Sequence, residues 1–266
     1  QSNGGVMSYA AARRAPARII ESGPAAGVVE AIRLADRIGL KDVITFDMGG
    51  TTAKASLIEQ GKPSLTTEYE VGAGIQLSNR LVKGRGHALK LPVIDIAEVG
   101  AGGGSIVRVD PGGSLRVGPQ SAGAKPGPAC YSQGGTEATV TDANVVLGYI
   151  NPTSIAGGTV SVNSEAAKVA LNRSAAEHLE LETNDAAYGV YAVANTTMIR
   201  AIKSVTTYRG RDPREFTLMA FGGSGPLHAA EMARSLGIRQ IIVPASPGVF
   251  SALGLLEALP EYSFSR

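Results

Sequence analysis

The residues best suited to chemistry lie in FDMGGTT, residues 46–52, where a carboxylate ends a β-rich run and precedes two glycines and two threonines. Glycine amides and threonine hydroxyls donate to phosphate oxygens, and Asp47 would hold Mg²⁺ through water or orient an attacking group. The expected phosphate contacts are Gly49, Gly50, Thr51 and Thr52. A tight β-hairpin has the same composition and is the alternative for this segment taken alone. The pattern predicts a phosphate and Mg²⁺ site with Asp47 as its catalytic residue.

A second glycine loop lies in AFGGSGPLHAA, residues 220–230, between a strand-like run and a helix that begins near Pro226. Such a loop brings helix N-terminal amides to an anion or lets an adenine lie against the backbone. The expected nucleotide contacts are Gly222, Gly223, Ser224 and Gly225. His228 occupies the last glycine position of GxGxxG, which disfavours a Rossmann site, and the chain has no Walker lysine. His228 is a candidate substrate contact, with a surface or capping residue as the alternative.

Three further features are open to two interpretations each. Gly102, Gly103 and Gly104 in GAGGGS form either an anion-binding nest for the cofactor or a bend between strands. Asp142 in TVTDAN is either a second acidic metal ligand near the cleft or a helix cap. Cys130 lacks a histidine in a partner motif, so packing is favoured over nucleophilic catalysis.

Composition narrows the class of protein. The 266 residues carry a net charge of +2 without a basic block, so no nucleic-acid partner is indicated. A single cysteine suits a reducing compartment, and the cytoplasm is the expected location. No apolar run approaches the ~20 residues that span a bilayer, so no membrane partner is expected.

Hydrophobic periodicity places the glycine loops within an α/β protein, in which a mixed sheet has flanking helices. Short β-rich runs precede both loops, and residues 64–118 are predominantly β, with hairpin chemistry at 110–113. The expected strands outside that region are 43–46, 54–58, 216–221 and 240–243. The expected helices are 24–38, 164–180, 183–207, 226–236 and 249–259, with Ser22 as a possible cap of the first.

Taken together, the motifs resemble the hydantoinase A/5-oxoprolinase family, which also includes the ATP-using acetone carboxylase subunits. The motifs are SNGGV from Ser2, ESGPAAGV from Glu21, FDMGGTTAK from Phe46, GAGGGSI from Gly100, VGPQSAGAKPGPACY from Val117, TVTDAN from Thr139, FGGSGPLHA from Phe221 and PGVFSALGLL from Pro247. The resemblance covers nearly the whole chain. It implies an actin-like and sugar-kinase-like ATPase fold of the ribonuclease H-like type, in which two lobes close over ATP.

The same resemblance implies a domain organisation. Residues 1–266 form one hydantoinase A-type domain that lacks the N-terminal lobe, which in relatives carries the first DxGGT loop. Within it, 1–40 is an interdomain connection and helix, 41–245 is the second ATPase lobe, and 246–266 is a C-terminal connecting helix. A β-rich insertion at 64–140 interrupts the lobe. FDMGGTTAK corresponds to the second phosphate loop and FGGSGPLHA to the adenosine loop.

By resemblance, the activity is that of an ATP-dependent amidohydrolase that phosphorylates a cyclic amide for ring opening. The expected substrates are hydantoin, N-methylhydantoin or 5-oxoproline, with ATP and Mg²⁺ as cofactors. A hydantoinase B-type subunit and the missing N-terminal lobe are the expected partners, and the isolated chain is expected to be inactive. The alternatives are an acetone- or acetophenone-type carboxylase subunit and a non-catalytic nucleotide-binding module.

Overall fold

The structure of the protein is a computed structural model that describes residues 1–67, 69–71 and 87–260. The predictions for 64–118 and for the last helix therefore fall partly on residues 68, 72–86 and 261–266, which lie outside the described residues. No helix in the described ranges is long and apolar enough to cross a membrane.

The described chain begins with two helices, continues with ten successive strands, and then contains both helices and strands. The helices are α1 Tyr9–Arg14, α2 Ser22–Arg37, α3 Val140–Val146, α4 Ser164–Leu171, α5 Glu177–Leu179, α6 Thr183–Val205, α7 Gly225–Leu236 and α8 Phe250–Glu257. The strands are β1 Val43–Met48, β2 Ala53–Glu59, β3 Lys62–Pro63, β4 Leu65–Thr66, β5 Tyr69–Val71, β6 His87–Leu89, β7 Val93–Ile94, β8 Ile96–Val99, β9 Ser105–Val109, β10 Leu115–Ser121, β11 Ser154–Ile155, β12 Val160–Ser161, β13 Thr217–Phe221 and β14 Ile241–Ile242.

Most predicted elements are confirmed, with two local corrections. Ser22 is the first residue of α2 rather than its cap, and Glu21 stands at the cap position. The helix predicted over 164–180 is divided into α4, a π-helical segment at Asn172–Ala176, and α5. The hairpin expected at 110–113 joins β9 to β10, and the Asp110 carboxylate accepts bonds from the amides of Gly112 and Ser114.

The chain divides into two compact units. The first contains residues 1–47, 53–99 and 199–266, and the second contains 48–52 and 100–198. The lobe and insertion boundaries implied by the family resemblance stay predictions.

The first unit contains the main sheet. Its strand order is β14-β13-β1-β2-β3, and β8 pairs with β2 as a side branch. β1 and β13 are parallel from Val43 opposite Thr217 to Asp47 opposite Phe221. β14 is parallel to β13, whereas β3 and β8 are antiparallel to β2. The predicted mixed sheet is thereby confirmed.

Helices cover the strands that lead to the candidate site. Along β1 the apolar residues are all buried, as expected for a parallel strand covered on both faces. Helix α2 buries one stripe against this sheet, formed by Ala25, Val28, Ala31 and Ala35. Helix α8 crosses α2 so closely that a Cβ on Gly254 would stand 1.9 Å from the carbonyl oxygen of Ala26. These helices fix the position of β1 and of Asp47 near its end.

The second unit is built from the β9–β10 hairpin and several helices. Cys130 lies in a small apolar core with Val145, Val162 and Ala167, where α3 and α4 pack together. The stripe predicted along α6 is buried, including Val190, Ala194 and Met198. This unit supports the 48–52 loop.

Candidate functional site

The 48–52 loop exposes unpaired backbone amides. Gly49 N–H donates to the carbonyl oxygen of Thr52 over 3.1 Å, which closes the turn. The amides of Gly50 and Thr51 have no hydrogen-bond partner among the described residues, and both residues are exposed. These amides are therefore open to an anion.

The glycines of this loop are not explained by backbone conformation or packing. Neither Gly49 nor Gly50 has the positive φ that favours glycine, and a Cβ at either position would have no atom of ranges 1–67, 69–71 and 87–260 within 4 Å. What glycine provides here is free space directly above the backbone. A ligand that approaches the amides closely needs that space.

Gly102–Gly104, by contrast, are buried beneath the loop. Gly103 N–H donates to the carbonyl oxygen of Gly49 over 3.0 Å, and Gly104 N–H donates to that of Gly50 over 2.6 Å. Gly102 N–H donates to Ser105 Oγ over 2.9 Å. Internal acceptors use all three amides, which favours the bend interpretation, and the cofactor role of these glycines stays a prediction. They form a supporting layer for the 48–52 loop.

This supporting layer is held in turn by α3. The carbonyl oxygen of Gly103 accepts bonds from Thr141 N–H at 2.8 Å and from Thr141 Oγ1 at 2.9 Å. A Cβ on Gly102 would stand 2.6 Å from backbone atoms of Gly50 and Thr51, which cannot retreat without moving the loop. The loop is therefore fixed by contacts that reach from the first turn of α3.

Asp142 stabilises that first turn. It is fully buried, and its carboxylate accepts bonds from Thr139 N–H, Thr139 Oγ1 and Cys130 N–H at 2.7–2.8 Å and from Ala129 N–H at 3.3 Å. With Thr139 it forms a capping box. Both carboxylate oxygens are thus engaged, so the helix-cap interpretation is confirmed, and a metal-binding role of Asp142 stays a prediction. No cluster of three or more metal-binding side chains occurs within the described ranges.

Asp47 lies near the end of β1 in the first unit and is half-buried. Burial raises the pKa of Asp47, while the Lys54 charge and a hydrogen bond from Ser251 act in the opposite direction. Ser251 Oγ donates to Asp47 Oδ2 over 3.4 Å, and Lys54 Nζ lies 2.6 Å from Glu98 Oε1. A carboxylate with a raised pKa next to a charge partner is suited to accept a proton.

Ser251 has no signal in the sequence. It lies 204 positions from Asp47, within an apolar segment that the sequence indicates only as a helix. The contact arises because α8 packs on α2 and brings Ser251 within 2.7 Å of where a Cβ on Gly27 would stand. Only tertiary packing shows this partner.

The second glycine loop, residues 222–225, also belongs to the first unit. Gly222 has a φ of 81°, and its amide donates to the carbonyl oxygen of Pro247 over 2.9 Å. Gly223 is exposed and has open space above it. The amides of Gly223, Ser224 and Gly225 have no partner within the described part of the chain. Since Gly225 begins α7, these donors lie at a helix N-terminus, where anions and polar ligand atoms bind.

His228 lies in α7 and is fully buried. It shares the buried face of the helix with Ala229, Met232 and Ala233. This burial contradicts the surface alternative, and the role of His228 as a substrate residue stays a prediction. Burial lowers its pKa to about 4.

The lowered pKa predicts a pH dependence of stability. His228 takes up a proton near pH 4 when folded but near pH 6.5 when unfolded, so acid favours the unfolded state. The free energy of unfolding is highest above pH 6.5, where His228 is neutral in both states. It decreases by about 3 kcal/mol in all as the pH falls toward 4. Chemical denaturation of wild type and His228→Gln between pH 7 and pH 4 measures it. Parallel stability curves for the two proteins would contradict the expectation.

Cys130 is a buried free thiol, and both burial and the nearby Asp142 carboxylate raise its pKa. A thiol in these surroundings stays protonated and is a poor nucleophile. The prediction that Cys130 packs in a core is confirmed.

The strand order defines an α/β chain with a mixed sheet and flanking helices. A family model described as hydantoinase/oxoprolinase matches residues 1–263. The chain belongs to this family, as the sequence motifs predict.

Three known proteins illustrate the similarity. An uncharacterized protein of Methanocaldococcus jannaschii is 48% identical over 97% of this chain and 38% of its own length. The caprolactamase subunit alpha of Pseudomonas jessenii is 36% identical over 96% of this chain and 35% of its own length. The nucleotide-free structure of an acetone carboxylase, described for ATP-dependent acetone carboxylation, matches with a TM-score of 0.84 and 33% identity over 96% of this chain and 34% of that chain. The chain thus spans little more than a third of these relatives.

Proposed function

We propose that this chain provides nucleotide contacts to an ATP-dependent amidohydrolase that opens a cyclic amide. The proposed substrate is a hydantoin, an N-methylhydantoin or 5-oxoproline, activated by phosphorylation of its carbonyl oxygen. The observation that carries this proposal is the pair of open amides at Gly50 and Thr51, above which glycine leaves room for a phosphate. Family membership and the similarity to a caprolactamase subunit support the substrate class.

We propose that each loop binds a different part of MgATP. Gly49, Gly50, Thr51 and Thr52 would hold phosphates through amides and hydroxyls, and Asp47 would hold Mg²⁺ through water. Gly222, Gly223, Ser224 and Gly225 would contact the adenosine. When bound, ATP supplies the phosphoryl group that turns the poorly reactive amide oxygen into a leaving group.

The protein's own part is to position groups and to balance charge. Backbone amides held by Gly103 and Gly104 stabilise the charge on phosphate oxygens without rearrangement, because the layer beneath them is already hydrogen-bonded. The bond from Ser251 to Oδ2 orients the Asp47 carboxylate, whose raised pKa suits it to take a proton from the water that opens the phosphorylated ring.

Other parts of the enzyme complete the proposed site. We propose a further, N-terminal lobe that carries the first DxGGT loop, because water must be excluded for phosphoryl transfer. We also propose a hydantoinase B-type subunit, a cytoplasmic location, and little or no turnover by the isolated chain.

A carboxylase subunit is the second candidate, favoured by the TM-score of 0.84 with the acetone carboxylase structure. Such a subunit would also use ATP to activate a carbonyl compound, but it would deliver a phosphorylated intermediate to a partner subunit. Both functions use ATP, so the compound that ATP activates, a cyclic amide or a ketone, distinguishes them.

Stimulation of ATP hydrolysis by substrate distinguishes them. The full-length protein, with its partner subunit, is incubated with MgATP and either 5-oxoproline, hydantoins, or a ketone with bicarbonate. We expect a cyclic amide to raise ADP release at least about tenfold, since substrate binding completes the reacting geometry. Stimulation only by ketone plus bicarbonate would support the carboxylase function. A rate of ADP release that none of these compounds changes would contradict both candidate functions.

A further inference from the structure

A second turn lies beside the 48–52 loop in the same unit. Residues 122–127, which we call the lysine turn, are closed by a bond from Gly127 N–H to the carbonyl oxygen of Ala122 over 3.2 Å. Gly127 has a φ of 75°, and a Cβ there would stand 3.2 Å from the carbonyl oxygen of Ala124. The tip of the turn, residues 123–126, is exposed.

The lysine turn is anchored at both ends. Ala122 N–H donates to the carbonyl oxygen of Gly104 over 2.8 Å. Just beyond the turn, Ala129 N–H and Cys130 N–H donate to the buried carboxylate of Asp142. Hydrogen bonds therefore fix both ends of the turn and leave its tip exposed, as is usual for loops that position a functional group.

Gly104 brings the lysine turn close to the 48–52 loop. Its N–H bonds to the carbonyl oxygen of Gly50 while its own carbonyl bonds to Ala122. Gly50 O and Ser121 Oγ each lie 3.0 Å from the position that a Cβ on Gly104 would take, and Gly123 N lies 3.8 Å from it. A single glycine thus separates the loop with open amides from the start of the turn.

Lys125 is the single charged residue of the turn and lies at its exposed tip. No carboxylate of the described chain forms an ion pair with it. The amides of the 48–52 loop supply only partial positive charge, whereas a nucleotide brings several full negative charges. The Lys125 ammonium ends a flexible four-carbon stem, and extended toward the loop it would balance part of that charge.

We propose that Lys125 binds the phosphates of the nucleotide held by the 48–52 loop. This proposal rests on the proposed function and adds a specific residue to it. Gly104 and Asp142 act as positioning residues for the turn, because they hold its two ends.

Calorimetric titration of the full-length protein with MgATP tests the proposal. We expect Lys125→Gln to weaken ATP binding about tenfold, as for loss of one charge-assisted bond. Lys125→Arg keeps the charge and should bind within about threefold of wild type. Lys168→Gln is the matched control, since Lys168 is an exposed lysine of the same unit whose near carboxylate is Glu165, 3.9 Å away. Equal melting temperatures would show that all variants are folded.

Two results would overturn the assignment. If wild type binds MgATP and Lys125→Gln binds equally well, Lys125 does not contact phosphate, although the proposed function stands. If Lys125→Gln changes only the KM of the organic substrate, the lysine recognises a carboxylate or carbonyl instead. Absence of MgATP binding by wild type would refute the proposed function itself, and with it the role of Lys125.

Discussion

Asp47→Asn is expected to lower ATP turnover by the full-length enzyme by about 10²–10³-fold, as for loss of one catalytic group. Asparagine keeps the shape of the side chain and an oxygen for the Ser251 hydroxyl, but it neither accepts a proton nor carries the charge that holds a metal. The loss should appear in kcat, while the melting temperature stays near that of wild type. Steady-state ADP release and thermal denaturation measure both.

Asp36→Asn is the matched control for this substitution. Asp36 is an exposed carboxylate of α2 that lies 3.5 Å from Lys41, and a surface pair of this kind contributes little to stability. We expect its turnover to equal that of wild type. Full activity of Asp47→Asn, or equal losses of activity in the two variants, would show that Asp47 is not a catalytic residue.

Gly102→Ala has the second large expected effect. Its methyl group would stand 2.6 Å from the backbone of Gly50 and Thr51, in a layer with no flexible side chain that could yield. We expect about 3 kcal/mol of destabilisation, as for overpacking of a buried site, together with loss of nucleotide binding as the loop is displaced. Urea denaturation gives the free energy of unfolding.

Gly23→Ala provides the comparison. Gly23 is exposed in the first turn of α2, and a Cβ there meets nothing within 4 Å. Alanine in a helix should leave stability unchanged or raise it by up to about 1 kcal/mol. A Gly102→Ala protein as stable as Gly23→Ala would show that the layer beneath the loop can shift, contrary to the proposed support.

Local patterns in the sequence predict the elements around the site well. The β-rich run 43–46, the glycine loop after it and the proline near the start of α7 each have a signal within a few residues. The parallel pairing of β1 with β13 joins residues more than 170 positions apart, yet alternating strands and helices predict the α/β class. Long motifs in a fixed order predict the family.

The roles of individual glycines could not be predicted in this way. Gly50 and Gly102 are both glycines in similar glycine clusters. Gly50 has open space above it, whereas a Cβ on Gly102 would stand 2.6 Å from backbone atoms of Gly50 and Thr51. Asp142 shows the same limit, because a carboxylate three residues after Thr139 fits both a capping box and a metal site until its donors are known. His228 did carry a signal, since its spacing to Met232 and Leu236 places it on the apolar face of α7.

The most direct test of the phosphate-loop assignment is calorimetric titration of MgATP into the full-length protein and into its Gly50→Ala variant. A Cβ at Gly50 meets no atom of the described residues within 4 Å, so the variant should unfold at the wild-type temperature. If a phosphate lies against the Gly50 amide, the added methyl group occupies its place, and we predict at least about tenfold weaker binding of MgATP. Equal affinity of wild type and Gly50→Ala for MgATP, with both proteins folded, would contradict the central claim.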